Sequence, residues 1–525
     1  MGGQFATLDW LVVGLYVGVL IAGGWLFMPR HTETAREYFL AGGNVPAWLA
    51  AVSVLSATQS AATFLGGPDY GYRGDYTYLG SNLGALLGAV FVAQVLIPRF
   101  YAMNATTVYE LLTRRFSTVA TRWAGGMFLV GRVLAGGARV YLAAIAIAMV
   151  MTASVSAGSI VAAAAGLMVA SFLFTFVGGL RSVLWNDLVQ FVIYLGAAIA
   201  VLVFLWMSIP ASTGDIIRGL AATPEGVNKL RLFDLSVDPS RPFSLLAITT
   251  GVFLLYIANS GLDQDTTQRL LACRDARTGA RGLYLSVIAT VPVVAVFVTI
   301  GLLLYVFYNR PELMGGRVAE VGSKFAGQNI NIFMHYILTE VPPGLRGLVT
   351  IGVTAAAVAT TNSALNAMSS VLVQDFYRPW RERRGGAGER HYVIAGRAGM
   401  ALVGVAMFAM AVLSFYWQRY ADMPLLEFAL QVMVFAYAGL LGVYFTAVFT
   451  SRGTTASVIA ALLVGFASVL ALQPLVIDAL GLPAVLRQLS FPYQLCIGTL
   501  LATLVCAAPR GTGVRVASPS PVLAH

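Results

Sequence analysis

Apolar segments long enough to cross a membrane recur from one end of this chain to the other. About thirteen windows of roughly twenty mostly apolar residues can each span about 30 Å of hydrocarbon as a helix. They lie near residues 8–28, 46–67, 77–98, 122–151, 157–178, 182–209, 243–260, 281–308, 346–375, 392–417, 424–449, 454–473 and 490–508. Only 11% of the 525 residues are charged and 58% are hydrophobic, which excludes a soluble globular domain. The pattern predicts an all-α polytopic membrane protein, without the short alternating strands of a membrane barrel.

The windows form one predicted transmembrane domain, residues 1–508. The first window has no small-residue cleavage site after it and leads directly into the second, so we predict a retained leading helix at 8–28. Long polar connections are expected at 210–242, 309–345 and 378–390. The Pro- and Ser-rich end, 509–525, is predicted to be a disordered cytoplasmic tail.

The basic residues that give the net charge of +10 are concentrated in the loops between windows and do not form one basic surface. Arginines cluster in alternate connections: Arg30 and Arg36; Arg99, Arg114, Arg115 and Arg122; Arg181; Arg274, Arg277 and Arg281; Arg378, Arg381, Arg383, Arg384 and Arg390; Arg452; and Arg510 and Arg515. The positive-inside rule then predicts an external N-terminus and a cytoplasmic C-terminus, in the inner (cytoplasmic) cell membrane. The lipid bilayer is a sufficient partner for this charge, and nucleic acid is not predicted.

Enzyme signatures are not visible in the sequence. Three cysteines and four histidines show no disulfide or metal-ligand spacing. A phosphate loop, a Gly-x-Ser-x-Gly elbow and a His-Glu-x-x-His motif are not found. We therefore predict neither an enzyme nor a cofactor.

Two of the windows are interrupted by polar residues. "SATQSAAT", Ser56 to Thr63, lies in the second window, and "LLYIANSGLDQDTTQRLL", Leu254 to Leu271, lies five windows later. Non-helical backbone at membrane depth requires surrounding protein or a water-filled cavity, and paired interruptions in two halves indicate a transport site. The alternative for the first segment is a packing face of small residues.

Three further segments carry a family resemblance. "GGLRSVLWNDLVQ" (178–190), "DQDTTQRLLACRDARTGARG" (263–282) and "AAAVATTNSALNAMSSVLVQDFY" (355–377) resemble segments of the sodium:solute symporter family. With the span count, the resemblance covers residues 5 to 508.

The resemblance implies a leucine-transporter-type fold. Its parts would be a leading helix, ten core helices in two inverted repeats, about 46–209 and 243–449, and two trailing helices in 454–508. The first and sixth core helices would be discontinuous. It also implies import of a small solute by sodium-coupled symport with alternating access. Proton-coupled symport, sugar or polyol transport and a non-transporting ligand sensor on the same fold remain open.

The resemblance also implies a sodium site between the first and eighth core helices. Its ligands would be the carbonyls of Ser56, Gln59 and Ala356 together with positions Ala359 and Thr360. Many family members have a serine where this chain has Ala359, so one ligand is absent and lithium coupling, proton coupling or facilitated transport stay possible. Na⁺ is the only metal ion expected.

Asp187 matches a family acid and is a candidate coupling acid. An acid at membrane depth is costly and usually functional. A structural ion pair with an arginine such as Arg132 is the alternative.

Substrate contacts are predicted both from the family resemblance and from the polar residues of the second interruption. Residues that line the sugar site of a galactose-transporting relative correspond here to Thr63, Asn82, Ala85, Tyr256 and Ile288, a set that disfavours a hexose. Tyr256, Asn259, Asp263 and Gln264 lie in or next to the second interruption.

Arg132 and Arg139 are seven residues apart and therefore share one helix face. A guanidinium suits a carboxylate, so Arg139 could hold a substrate carboxyl group. It could instead pair with Asp263, Asp265 or Asp187. If Asp263 met a substrate amine, an amino acid would fit. We thus expect a carboxylate or amino-acid-like substrate and a monomeric functional unit.

Overall fold

The computed structural model describes residues 5–27, 34–152, 154–317, 324–325, 328–329, 332–421 and 424–511. Within these, the side chains of 20–21, 23–27, 35–36, 174–179, 324–325, 328–329 and 419–421 are not described. Arg30, Arg515 and most of the predicted tail, 512–525, lie outside the described residues.

The described chain is almost entirely helical. Its α-helices are α1 Thr7–Phe27, α2 Ala35–Leu40, α3 Ala47–Thr58, α4 Ala61–Arg73, α5 Thr77–Gly80, α6 Asn82–Phe91, α7 Ile97–Ala102, α8 Glu110–Arg115, α9 Thr118–Thr152, α10 Ala157–Met207, α11 Thr213–Ala221, α12 Leu245–Ala247, α13 Phe253–Gly261, α14 Gln264–Leu271, α15 Ala276–Asn309, α16 Ile332–Thr339, α17 Leu345–Val371, α18 Arg378–Glu382, α19 Glu389–Ala421, α20 Leu425–Phe449, α21 Thr455–Ala471, α22 Pro474–Leu480 and α23 Phe491–Ala507. Short π-helical turns at Val92–Leu96, Ile248–Val252 and Leu372–Tyr377 continue neighbouring helices, and 3₁₀ turns lie at Ala41–Gly43 and Ala484–Gln488. Two short strands, β1 Lys324–Phe325 and β2 Gln328–Asn329, pair antiparallel, with Lys324 opposite Asn329.

Many of the helices are long and apolar enough to cross a bilayer. Among the described residues, seven unbroken helices qualify, and ten spans are reached when each of three sharply bent pairs counts as one. Shorter apolar helices cover Thr7–Val19, Ala157–Leu173 and Phe491–Ala507. The helical membrane fold is therefore confirmed, whereas the number thirteen and the exact repeat boundaries stay predictions.

One predicted boundary is not present in the structure. Where the sequence indicates two windows, 157–178 and 182–209, the backbone forms the single helical run α10. No proline lies between Ala157 and Met207, and glycine lowers helix propensity without preventing the helical hydrogen bonds. The hydropathy minimum near Gly178 therefore marks a change in composition within a continuous helix.

The most buried helices lie at the centre of the bundle. α17 is buried almost without interruption from Ala355 to Val371, and it packs against α10, α9, α3 and α4. α4 packs along α15, where glycines allow the two backbones to touch. A Cβ added at Gly71 would overlap the carbonyl oxygen of Val298, and one added at Gly301 would overlap that of Pro68. At these two glycines α4 and α15 therefore meet backbone to backbone, while aromatic pairs such as Phe64 and Phe297 pack elsewhere along the two helices.

Candidate functional site

The first predicted interruption is a break in the helix between α3 and α4. α3 ends at Thr58, Gln59 and Ser60 are extended (φ −81°, ψ 107° and φ −115°, ψ 179°), and the helix axes differ by 65°. The Ser60 hydroxyl accepts from the backbone N–H of Ala62 at 3.2 Å and caps α4. The last carbonyls of a helix have no partner within it, so the break leaves peptide oxygens near Ser56 available to a ligand.

The second interruption separates α13 from α14. α13 ends at Gly261, Asp263 is extended (φ −87°, ψ 116°), and the axes differ by 53°. The Asp263 carboxylate accepts from the backbone N–H of Asp265 at 3.0 Å and caps α14. Both predicted breaks are confirmed at the predicted segments.

A small polar cavity lies beside the two breaks. It offers about 90 Å³ to the centre of a water-sized sphere. From the first break and α4, Thr58, Gln59, Ser60 and Thr63 line it; from α5 to α9, Tyr78, Ser81, Ala85 and Arg139; from α13, Tyr256, Asn259 and Ser260; and from α15, Ser286, Val287 and Thr290. Aliphatic and aromatic side chains, including Met433 and Phe491, complete the wall. The cavity therefore suits a small ligand with one charged end and several hydrogen-bonding groups.

The structure brings only some of the predicted substrate residues to this cavity. Thr63, Arg139, Tyr256 and Asn259 line it. Sequence reasoning missed Tyr78, Ser81, Ser286 and Thr290, whose hydroxyls have no motif around them that could have identified them.

Four other predicted residues lie elsewhere. The Asn82 side-chain amide donates to the Leu79 carbonyl at 2.8 Å, and Ile288 is 61% exposed on the outer surface. Gln264 Oε1 accepts from the backbone N–H of Val108 at 3.0 Å, and its Nε2 donates to the Thr106 carbonyl at 2.9 Å. Gln264 thus fixes the segment that precedes α8. Asp263 belongs to an ion-pair network.

Among the residues that the structure describes, Arg139 is the only charged one that lines the cavity. Its Nη2 lies 3.3 Å from the sulfur of Met433. Within the part of the chain that the structure describes, no carboxylate lies within ion-pair distance of Arg139. The predicted alternative, a pair between Arg139 and Asp263, Asp265 or Asp187, is not formed.

Those carboxylates belong to a buried network built around two other arginines. Arg132 pairs with Asp263, Nη1 to Oδ2 at 3.3 Å, and with Asp265. Arg269 Nη1 lies 2.9 Å from Asp265 Oδ1, and its Nη2 lies 3.1 Å from Asp187 Oδ2. All five side chains are at most 4% exposed. Asp187 therefore pairs with Arg269, not with Arg132.

Hydroxyl groups complete this network. Tyr437 donates to Asp263 Oδ2 at 2.6 Å, and Ser53 donates to Asp187. Arg269 Nε donates to the Ser53 oxygen at 2.7 Å, and its Nη2 also donates to Ser363 on α17. The network thus ties α3, α9, α10, α14, α17 and α20 together in the core.

The five predicted sodium ligands are all buried in helices that touch. Ser56 and Gln59 are at the first break, and Ala356, Ala359 and Thr360 are on α17, which packs against α3. The Thr360 hydroxyl donates to the carbonyls of Ala356 at 3.0 Å and Ala357 at 3.1 Å. In the described part of the chain no group donates a hydrogen bond to the Thr360 oxygen.

A lysine on the 210–242 connection holds the far end of α4. Lys229 Nζ donates to the carbonyls of Tyr72 and Gly74, both at 2.8 Å, and lies 4.2 Å from the centre of the Tyr305 ring. Burial lowers the pKa of Lys229 to about 8. The connection is thereby fixed to the half-helix that follows the first break.

Comparisons with known proteins agree with this geometry. Residues 38–465 match the sequence profile of the sodium:solute symporter family. The chain is 27% identical to a sodium/sialic acid symporter of Aliivibrio fischeri over 76% of each chain. It is 26% identical to human sodium-coupled monocarboxylate transporter 2 over 71% of this chain and 59% of that one.

Solved structures show the same fold. A sodium-coupled sialic acid symporter in a substrate-bound, outward-open state superposes with a TM-score of 0.78 at 22% identity, covering 96% of this chain and 98% of the other. The predicted leucine-transporter-type fold is therefore confirmed over the 96% of the chain that superposes.

Proposed function

Because the chain belongs to the sodium:solute symporter family and is a sodium-coupled solute symporter of the membrane, we propose that it imports a small organic carboxylate by alternating access. One observation carries the choice of substrate: the Arg139 guanidinium faces the cavity between the broken helices without an acid partner among the described residues. An arginine at membrane depth is expensive unless an anion or a cavity compensates it. A substrate carboxylate would supply that anion with two parallel hydrogen bonds.

The other lining residues fit such a substrate. Thr63, Tyr78, Ser81 and Tyr256 line the same cavity with hydroxyl groups, which suits a carboxylate that also bears a hydroxyl or keto oxygen. The small volume favours a compact molecule. Two relatives have acids in their names, sialic acid and a monocarboxylate, which supports an acidic cargo.

An amino acid is less well supported than a simple carboxylate. The acid that would meet its ammonium group, Asp263, already receives Arg132 and Tyr437. Asn259 lines the cavity and is linked to Asp263 through one residue: its Oδ1 lies 3.4 Å from the Tyr437 hydroxyl, which also bonds to Asp263. We assign Asn259 a neutral contact to substrate.

For sodium we propose the site between the first break and α17. Ser56, Gln59 and Ala356 would contribute carbonyl oxygens and Thr360 its hydroxyl, with Ala359 contributing no side-chain oxygen. The C-terminus of α3 lies at the first break, and its carbonyl end carries a partial negative charge. This charge would also stabilise a cation bound there. Asp187 stays a candidate for coupling through the network rather than by direct contact with substrate.

We also propose a monomeric functional unit in the inner cell membrane, with the N-terminus outside and the C-terminus inside. Contacts between connections that are distant in sequence support this orientation. Arg115 donates to the carbonyls of Thr450, at 3.3 Å, and Arg452, so two arginine-rich connections meet at one end of the bundle. Lys229 and Gly74 meet at the other end. Arginine-rich connections prefer the cytoplasmic side.

Uptake by the full chain in proteoliposomes tests the substrate assignment. With a panel of small radiolabelled carboxylates, amino acids and polyols under an inward sodium gradient, we expect transport of carboxylates alone. Arg139→Gln should raise KM for the carboxylate at least tenfold with a smaller effect on maximal rate, because the lost contact is to the bound anion. Arg181→Gln, at an exposed arginine, is the control. Carboxylate transport with unchanged KM in Arg139→Gln would refute the role of Arg139.

A further inference from the structure

Two apolar furrows lie side by side on the outer surface, at the end of the bundle that carries the 378–390 connection. This connection, made of α18, a turn and the start of α19, is called the hairpin below. The α9 furrow is lined by Trp123, Gly126, Met127, Val130, Leu463 and Phe466. The α19 furrow is lined by Leu372, Trp380, Ala395, Ala398, Gly399 and Leu402. Their volumes are about 460 and 610 Å³, and Phe376 forms the ridge between them because it lines both.

The two furrows share one cation. Arg122, in the first turn of α9, lines both furrows beside Phe376. Its Nε donates to the Asp375 carbonyl at 3.3 Å, while its Nη2 is buried without a hydrogen-bond partner among the described residues. The Asp375 carboxylate is bound to the Thr107 hydroxyl at 2.9 and 3.1 Å and forms no ion pair with Arg122. A donor of Arg122 therefore remains unused between two apolar surfaces.

Further positive charge lies at the rim. The Arg384 guanidinium stacks 4.4 Å from the centre of the Trp380 ring, which lines the α19 furrow. In the described part of the hairpin only Arg378 forms ion pairs, with Glu382 and Glu389, and Arg381, Arg383 and Arg384 have no acid partner. An occupant of the furrows therefore meets an excess of guanidinium groups at one end.

We propose that the furrows bind one anionic phospholipid, with an acyl chain in each furrow and the phosphate at Arg122 and Arg384. Two apolar furrows that share one cation, Arg122, match two acyl chains that share one charged headgroup. Arginine binds phosphate oxygens through several parallel donors. Basic residues at a membrane surface attract anionic lipid. A zwitterionic headgroup would bring its own cation to the same arginines, so an anionic lipid is preferred.

Tryptophan fluorescence tests the proposal, because Trp123 and Trp380 each line one furrow. The full chain is reconstituted in phosphatidylcholine vesicles that contain a minority of phosphatidylglycerol. In one set the phosphatidylglycerol carries brominated acyl chains, and in the other an equal amount of the phosphatidylcholine does. Bromine quenches tryptophan only on close approach, so selective binding gives stronger quenching in the first set. We expect this excess in the wild type and its loss in the Trp123→Phe/Trp380→Phe variant.

Substitutions then separate the headgroup from the chains. Arg122→Gln and Arg384→Gln should each reduce the excess quenching at least twofold, and Arg383→Gln, an exposed arginine of the same hairpin that lines neither furrow, should leave it unchanged. Gly126→Leu should reduce quenching of Trp123 but not of Trp380, since a Cβ there meets only Phe376 at 3.8 Å and the longer side chain enters the α9 furrow.

Equal quenching in both vesicle sets would overturn the proposal, and so would an excess that survives both arginine substitutions. Should Arg122→Gln not fold, Arg384→Gln decides alone, because that side chain is exposed. Sodium-driven uptake by each variant confirms that the reconstituted protein is folded.

Discussion

Arg269 and Asp187 lie 82 positions apart in the chain and form an ion pair at 3.1 Å, with both side chains 1% exposed. The pair joins α14, the half-helix after the second break, to α10. Asp265 and Ser363 share the same guanidinium. The second broken helix is therefore fixed to the core by charge as well as by apolar packing.

Asp187→Asn should destabilise the protein by about 3 kcal/mol, because removal of one partner leaves a buried charge poorly compensated. The free energy of unfolding can be measured by titration with a denaturing detergent. Asp238→Asn, at an exposed carboxylate, should change it by less than about 0.5 kcal/mol. Unchanged stability together with lost sodium stimulation would instead favour a direct role for Asp187 in coupling.

Thr360→Ala should abolish the stimulation of uptake by sodium, because it removes the side-chain oxygen assigned to the ion. Thr354→Ala is the matched control, since Thr354 on the same helix also donates to a carbonyl four residues earlier, at 2.8 Å. Initial uptake rates over a range of sodium concentrations provide the measurement. Stimulation that persists in Thr360→Ala would place the ion elsewhere. The reciprocal variant, Ala359→Ser, should lower the half-saturating sodium concentration by adding an oxygen.

Gly301→Ala should destabilise the protein by about 1–3 kcal/mol, as overpacking of a closed contact does. The added methyl group would overlap the Pro68 carbonyl and force α4 away from α15. Gly166→Ala, where nothing lies within 4 Å of an added Cβ, should have no such effect. Thermal unfolding of both variants in detergent distinguishes them, and equal midpoints would disprove the backbone contact.

Lys229 should make stability depend on pH in the alkaline range. Its pKa is lowered to about 8 in the folded protein, whereas an unfolded lysine titrates at about 10.4. Between these values the unfolded chain binds more protons, so the contribution of Lys229 to stability rises with pH from about 8 to about 10. The stability difference between wild type and Lys229→Met should therefore increase over this interval. Lys229→Arg, which does not titrate there, should show no comparable increase, and a flat difference for both variants would contradict the buried amine.

Local patterns were sufficient to predict a membrane-spanning helical fold and its two breaks. Hydropathy over twenty residues is a property of one segment, and the polar clusters around Gln59 and Gly261 lie within or at the end of single windows. Partner choice among charges was not predictable, because Arg132 and Arg139 share a helix face and only tertiary packing determines which of them meets Asp263. Spacing in sequence alone could not separate them.

Some positions carried over from relatives line the cavity, whereas at others a neighbouring residue in the chain lines it. Asn82 and Ile288 were expected at the substrate site, and their neighbours Ser81 and Val287 line the cavity instead. Successive side chains on a helix point in directions that differ by about 100°. A shift of one residue therefore moves a side chain from the cavity to the lipid-facing surface or to a neighbouring helix. Alignment to a distant relative does not fix helix rotation that closely.

The contact of Gly71 and Gly301 limits how the transporter can change shape. The backbones of α4 and α15 touch at these glycines, so the two helices cannot slide or tilt against each other there without a clash. We therefore expect α4 and α15 to move as one rigid body. If the substrate cavity opens and closes by rotation of these helices, we expect the bending to be concentrated at Gln59 and Ser60, the two extended residues between α3 and α4.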